Sequence, residues 1–173
     1  MRIGCNASGH LALGSPGEAI VEAAVQAETD GFDSFWLAQL WGLDALGLLA
    51  LCGRATSRIE LGTAVVATWP RHPLALAGQA MTAQDASDGR LTLGLGLAHR
   101  PSVEETLRVP FDRPARHMRE YLDVLLPAMS ERSVHAEGEI WSAVADGLGY
   151  PAGVESPSVI LAAMGPKMLE LAG

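Results

Sequence analysis

Apolar positions along the 173-residue chain fall into short continuous runs that alternate with stretches of helical spacing. The opening MRIGCNA fits a buried strand, and a loop, SGHLALGSPG, follows. In EAIVEAAVQAETDG, the residues Ile20, Ala23, Ala24 and Ala27 recur at helical spacing, and Gly31 stands where a helix-ending glycine is expected. FDSFWLA reads as a second strand. Asp44 is placed to cap the helix ALGLLALCGRA. RIELGTAVVA is predicted as the third strand, PLALAGQAMTAQDAS as the third helix and RLTLGLGLA as the fourth strand. A looser stretch, HRPSVEETLRVPF, leads to Asp112, the expected N-cap of PARHMREYLDVLLPAM, with Pro114 in its first turn. Residues 130–157 are polar, Gly-rich and irregular, with one strand predicted around Ile140–Val144. SVILAA is the fifth main strand, and GPKMLELAG starts the fifth helix.

The predicted order is thus β-α repeated five times. Continuous apolar strands imply burial on both faces, hence a parallel sheet covered by helices. Arg58-Ile59-Glu60-Leu61-Gly62 and Arg90-Leu91-Thr92-Leu93-Gly94 repeat the pattern R-[I/L]-x-L-G one βα unit apart. That echo suits a (β/α)8 barrel or an open doubly wound sheet. The whole of 1–173 is expected to be a single domain, with 130–157 as an irregular insertion.

Composition narrows the function classes. The chain is 49% hydrophobic with a net charge of −8 and no clustered basic stripe, which argues against nucleic acid and anionic membranes as partners. Its longest apolar run, Ala45–Cys52, is too short to span a bilayer. No basic stretch precedes an apolar run near the start, so no signal peptide and a cytoplasmic location are expected. Cys5 and Cys52 have no metal-like spacing and read as reduced thiols.

Several motifs invite chemistry, each with a plainer reading beside it. Gly94 and Gly96 give G-x-G, but His99 stands where the dinucleotide fingerprint needs its third glycine. The two glycines let either a ligand or a neighbouring side chain approach the backbone closely. His99 and Arg100, just past that strand, can contact a ring or an anion, or simply bond to nearby backbone. His72 reads as a turn residue at a helix start. His117 and Glu120, with Arg113, Arg116 and Arg119, read as a solvated charged face, and no metal site is expected. Strand SVILAA followed by Met164-Gly165-Pro166 and Lys167 presents helix-start amides suited to a phosphate, or an ordinary strand-helix turn.

Four segments in order, GFDSFWLAQLWGLDAL, SRIELGTAVVATWPRHPLALAGQAMTAQDASDGRLTLGLGLAHRP, FDRPARHMREYLDVL and ILAAMGPKMLELAG, resemble the luciferase-like monooxygenase superfamily. The likeness is strongest to its deazaflavin (coenzyme F420)-dependent oxidoreductase branch. The resemblance implies a (β/α)8 TIM-type barrel, here about five βα units of an incomplete, C-terminally truncated one. It implies a cofactor, coenzyme F420 or alternatively FMN, at the strand C-termini. A non-proline cis peptide or bulge is implied at Ala64-Val65 after Thr63, and a phosphate-holding turn at Ala163, Met164, Gly165 and Pro166.

Two positions depart from the family pattern. Gln39-Leu40 replaces an acidic-His pair, and His99 stands where some relatives carry a catalytic Glu. His99 is the candidate proton donor, and Gln39 the candidate hydrogen-bond donor to cofactor or substrate. Trp36, Trp41 and Trp69 are expected either to receive a hydrophobic substrate or to serve as core aromatics, with Trp36 in the core. The implied reaction is hydride transfer between the reduced cofactor and a small organic substrate. Two alternatives stay open: an FMN-dependent monooxygenase, and a non-catalytic fragment whose open sheet edge pairs with another chain or forms a homo-oligomer.

Overall fold

The computed structural model describes residues 1–39 and 41–173; Leu40 lies outside the described residues. Five parallel strand positions follow one another in chain order. These are β1 (Gly4–Asn6), β2 (Ser34–Leu37), β3 (Glu60–Thr63) with its continuation β4 (Val66–Ala67), β5 (Leu91–Gly96) and β8 (Ser158–Leu161). Between them run α1 (Ser8–Ala12), α2 (Gly17–Thr29), α3 (Ala45–Ala55), α4 (Pro73–Ala86) and α5 (Pro114–Ser130), and α6 (Pro166–Ala172) follows β8. Each strand pairs with the next in sequence, with no reversal of order. A constant crossover hand then puts every helix on the same face. This is the winding of a (β/α)8 barrel over about five units, not of an open doubly wound sheet.

Register sorts the strand residues by face. Phe35, Leu37, Leu61, Leu91, Leu93 and Leu95 share the helix-facing side and are buried in one cluster with Ile20, Leu46, Leu49, Leu76 and Ala80. The opposite, inner face carries Ser34, Trp36, Gly62, Thr92, Gly94, Gly96, Ser158 and Ile160. Only part of it is covered: Gly62, Gly94 and Gly96 are buried, whereas Ser158 and Ile160 are exposed. Trp36 therefore lies half-buried on the inner face rather than in the helix-side core, its indole over Gly62. A Cβ on Gly62 would come within 2.2 Å of that ring.

The repeated arginine motif has a structural cause at the N-terminal face. Arg58 donates to the carbonyls of Glu28 and Phe32, at 2.6 and 3.3 Å. Arg90 donates to the carbonyls of Gly53, Thr56 and Ile59 and to the Thr56 hydroxyl, at 2.8–3.1 Å. Each guanidinium satisfies carbonyls at the C-terminal end of the preceding unit's helix, where a cation is also favoured by the dipole. Glu28 completes the tie: its carboxylate accepts the amides of Ser57, Arg58 and Ile59.

Five readings of the local pattern change, the strand break among them as the family resemblance implied. The loop after β1 contains the short helix α1, packed through buried Leu11. The predicted strand RIELGTAVVA breaks at a cis Ala64–Val65 peptide. There Gly62 pairs with Thr92 and Val66 with Leu95, so the bent strand carries one residue more than its partner, a bulge. Arg113, not Asp112, occupies the N-cap of α5, in the left-handed region at φ 46°, and no side chain caps that helix. Within 130–157, β6 (Val134–Ala136) pairs antiparallel with β7 (Ala143–Ala145), and the stretch 98–113 contains a π-helical turn at Ser102–Thr106. As expected, Asp44 caps α3 by accepting the Gly47 amide at 2.7 Å, and Gly31 follows α2 at φ +88°. No helix among the described residues is long and apolar enough to cross a membrane.

Candidate functional site

A cavity of about 450 Å³ opens at the C-terminal ends of β2, β4 and β5. Its apolar walls are Ala38, Trp41, Val65, Ala67, Pro70 and Ala98, and its polar groups come from Gln39, Arg71, His99 and Ser102. The break after β3 aims Val65 into this space. Val65 also packs onto Gly96: a Cβ there would lie 2.5 Å from Val65 Cγ2. At Gly94 a Cβ would lie 1.9 Å from the Thr63 carbonyl oxygen. The close approach that these two glycines permit is thus made by the neighbouring strand. Thr63 is fully buried, and its hydroxyl accepts the Gly94 amide and donates to the Gly94 carbonyl, both at 2.8 Å.

Arg71 is the residue that sequence reasoning passed over. Its guanidinium pairs with Asp44, the cap of α3, and donates to Gln39 Oε1 at 3.2 Å. Gln39 Oε1 also accepts the Ala45 amide at 2.9 Å, so Gln39 ties the cavity's cation to the start of α3. The available signal was its place in the segment WPRHP, a cation in the loop leaving a strand's C-terminal end.

An aromatic cluster forms around His117, from Trp69, Tyr121 and Trp141. His117 is 0% exposed, not part of a solvated face. Arg113, Arg116 and Arg119 are the exposed residues of that helix start. Burial pushes the imidazole down to about 4, opposed only by the nearby Glu120 charge. The tautomer follows from its partners. Trp141 Nε1–H can only donate, and it reaches Nδ1 at 3.3 Å. Nε2–H therefore donates to Thr68 Oγ1 at 2.9 Å. Thr68 in turn donates its amide to the Gly96 carbonyl at 3.1 Å. Trp69 stacks on His117 with ring centroids 3.8 Å apart and does not line the cavity, whereas Trp41 does and is 57% exposed. Glu120 accepts the amides of Ile140 and Trp141, which docks the hairpin onto α5.

Beside His99, Ala98 adopts φ 57°, and the π-helical turn follows at once. Arg100 pairs with Glu104 at 2.6 Å and lies 5.0 Å above the Phe111 ring, holding this loop against Trp69. Of the predicted site residues, Gln39, Val65 and His99 converge on the cavity. Ala64 lies exposed at the bend, and Thr63 is buried behind it. Ala163, Met164, Gly165 and Pro166 do not line the cavity but follow β8 nearby. The Ala162 amide donates to the Leu95 carbonyl at 2.8 Å, and Ala162 Cβ faces Gly96 on the side away from Val65. Gly165 is the N-cap of α6. No cluster of three metal-ligating side chains occurs among the described residues.

The family model described as luciferase-like monooxygenase matches residues 1–173. The chain belongs to this family. A Mycobacterium tuberculosis protein, provisionally named a coenzyme F420-dependent oxidoreductase, is 33% identical over 170 residues, covering 91% of this chain and 49% of the relative. The coenzyme F420-dependent tetrahydromethanopterin reductase of Methanopyrus kandleri superposes with a TM-score of 0.76 at 23% identity, over 99% of this chain and 52% of that one. A type II Baeyer-Villiger monooxygenase of Pseudomonas putida, solved with FMN, gives 0.79 at 19% identity, over 93% and 51%. The chain spans about half the length of the curated relatives it matches.

Proposed function

We propose that this luciferase-like chain supplies the cofactor face and cavity of a cytoplasmic oxidoreductase that moves hydride between reduced coenzyme F420 and a small organic substrate. One observation carries the reading: Val65, Gln39 and His99 meet in one cavity at the strand C-termini. The 33% identical relative named for coenzyme F420 favours the deazaflavin over FMN.

The residues present fit such a group. Ala38, Val65, Ala67 and Ala98 offer a small-featured apolar wall to a flat ring, and Gln39, Arg71, His99 and Ser102 offer polar atoms at its edge. The bound deazaflavin supplies the hydride chemistry. Val65 would support the ring, and Thr63 holds that segment by its paired bonds to Gly94. The Met164-Gly165-Pro166 turn, with Ala163, would hold the phosphate through the backbone amides of its non-proline residues. Gln39 and Asp44 hold Arg71 in place, so the ligand meets a fixed donor without paying for its ordering. His99, on the cavity lining, would give or take the proton that accompanies hydride transfer.

Equilibrium titration with coenzyme F420 and with FMN, followed by fluorescence, tests this. Saturable binding of coenzyme F420, weakened at least tenfold by a bulky Val65→Trp, is expected. Tight binding of FMN alone would make the chain part of an FMN-dependent monooxygenase. Binding of neither would leave a non-catalytic role.

A further inference from the structure

The loop that brings Arg71 to the cavity, residues 68–72, is held by α5 and by the hairpin segment. Thr68 is fully buried; its hydroxyl accepts from His117 Nε2–H at 2.9 Å and reaches the Gly96 carbonyl at 3.5 Å. The Thr68 carbonyl accepts the Arg71 amide at 3.3 Å, which closes the turn. Trp69 stacks on the His117 ring, and His72 meets Trp141 edge-on with centroids 5.4 Å apart. Pro70 and Arg71 are the residues of this loop that line the cavity.

The direction of the Arg71 side chain depends on this hold. Its guanidinium bonds to Asp44 and to Gln39 Oε1 both leave from Nη2, while Nη1 is buried with no hydrogen-bond partner among the described residues. Two bonds from one nitrogen act as a pivot, so the fork points where its backbone sends it. A relay fixes that backbone: Trp141 Nε1–H donates to His117 Nδ1, His117 Nε2–H to Thr68, and the Thr68 amide to the Gly96 carbonyl. A fully buried histidine is costly unless its polar atoms are matched. Here one ring nitrogen is spent on the hairpin and the other on the cavity loop. Docking alone does not require the Trp141 donor, because Glu120 already holds the hairpin through the amides of Ile140 and Trp141.

We propose that His117 and Trp141 are positioning residues for the cavity: acting through Thr68, they set where Arg71 stands and so how well it donates to a bound ligand. The hairpin insertion thereby reaches the cavity without lining it. The effect on cofactor affinity rests on the cofactor reading above; the placing of Arg71 does not.

The test compares Thr68→Val, which keeps the branched shape but removes the acceptor, with Thr68→Ser, which keeps the acceptor. Wild-type Arg71 is expected to show separate 15Nη NMR signals, because its fork is held. In Thr68→Val and in Trp141→Phe these signals merge, and in Thr68→Ser they stay apart. Ordering a flexible side chain costs about 2- to 10-fold in affinity, so Thr68→Val is expected to weaken coenzyme F420 by about that factor in fluorescence titration, and Thr68→Ser by less than about twofold. In an Arg71→Met background, Thr68→Val is expected to add less than about 1.5-fold, since no cation is left to place. Circular dichroism checks folding, and Trp141→Phe, at a half-buried site, carries both measurements if Thr68→Val does not fold. Arg71 signals already merged in wild type, signals that stay separate in the variants, or an affinity loss as large in the Arg71→Met background as alone each overturn the proposal. If the Arg71 signals merge as expected while wild type binds no coenzyme F420, the positioning of Arg71 stands and the cofactor reading falls.

Discussion

Replacing Arg90 by alanine removes four hydrogen bonds from the N-terminal face in one step. Three of them end on main-chain carbonyls, those of Gly53, Thr56 and Ile59, at 2.8–2.9 Å. A hydrogen bond to a charged group contributes about 1.5–3 kcal/mol net, and such bonds sharing one donor are not additive. The site is partly exposed, so water replaces some of what is lost. A total of about 3–4 kcal/mol is the resulting figure. With a urea slope near 2 kcal/mol/M, the midpoint falls by about 1.5–2 M. Arg90→Lys keeps the charge but not the planar fork, and loses about 2 kcal/mol, or about 1 M. Arg58→Ala removes only two bonds and is expected to cost about 1 kcal/mol. Urea unfolding followed by circular dichroism measures all three variants. An Arg90→Ala cost below about 1 kcal/mol, or a lysine variant matching wild type, would refute the reading of the repeated arginine as a tie between units.

The other two concern pH. Burial pushes the Glu28 carboxyl up, but the amides of Ile59, Arg58 and Ser57 outweigh it and hold the group at about 2. Its folded value lies below the unfolded one, so its contribution is complete above about pH 4.5 and is lost as pH falls toward 2. The whole shift corresponds to about 3 kcal/mol, which screening of this partly exposed group reduces to about 1–2. Glu28→Gln should flatten that part of the stability profile, and an unchanged acid slope in urea melts at pH 5 and 3 would count against the clamp. His117, also depressed but neutral when folded, behaves differently. The unfolded imidazole takes a proton near pH 6.5 and the folded one only near 4, so stability declines as pH falls between these values. Its ring signals should stay flat from pH 8 to 5, and an NMR midpoint near 6.5 would exclude the buried neutral tautomer.

Local patterning alone was enough for the skeleton. Helical spacing and the capping residues Asp44 and Gly31 marked helices because hydrogen bonding and burial there involve residues three or four apart. Continuous apolar runs marked parallel strands because their helix-facing side packs into the core, wholly in β2, β3 and β5 and partly in β1 and β8. The likeness of four ordered segments to a known family added the cavity's location and the Ala64-Val65 break, which no periodicity encodes. Tertiary structure decided what depends on partners distant in sequence. The glycines at 94 and 96 serve Thr63 and Val65, about thirty residues earlier, and only the strand register shows this. His117 looked solvated beside three arginines, yet Trp141, Trp69 and Thr68 enclose it from other elements. Arg71 became a site residue when Asp44 and Gln39, remote in sequence, closed on it. A side chain's chemistry is set by its surroundings, and sequence spacing reports those surroundings only over a turn of helix or a pair of strand residues.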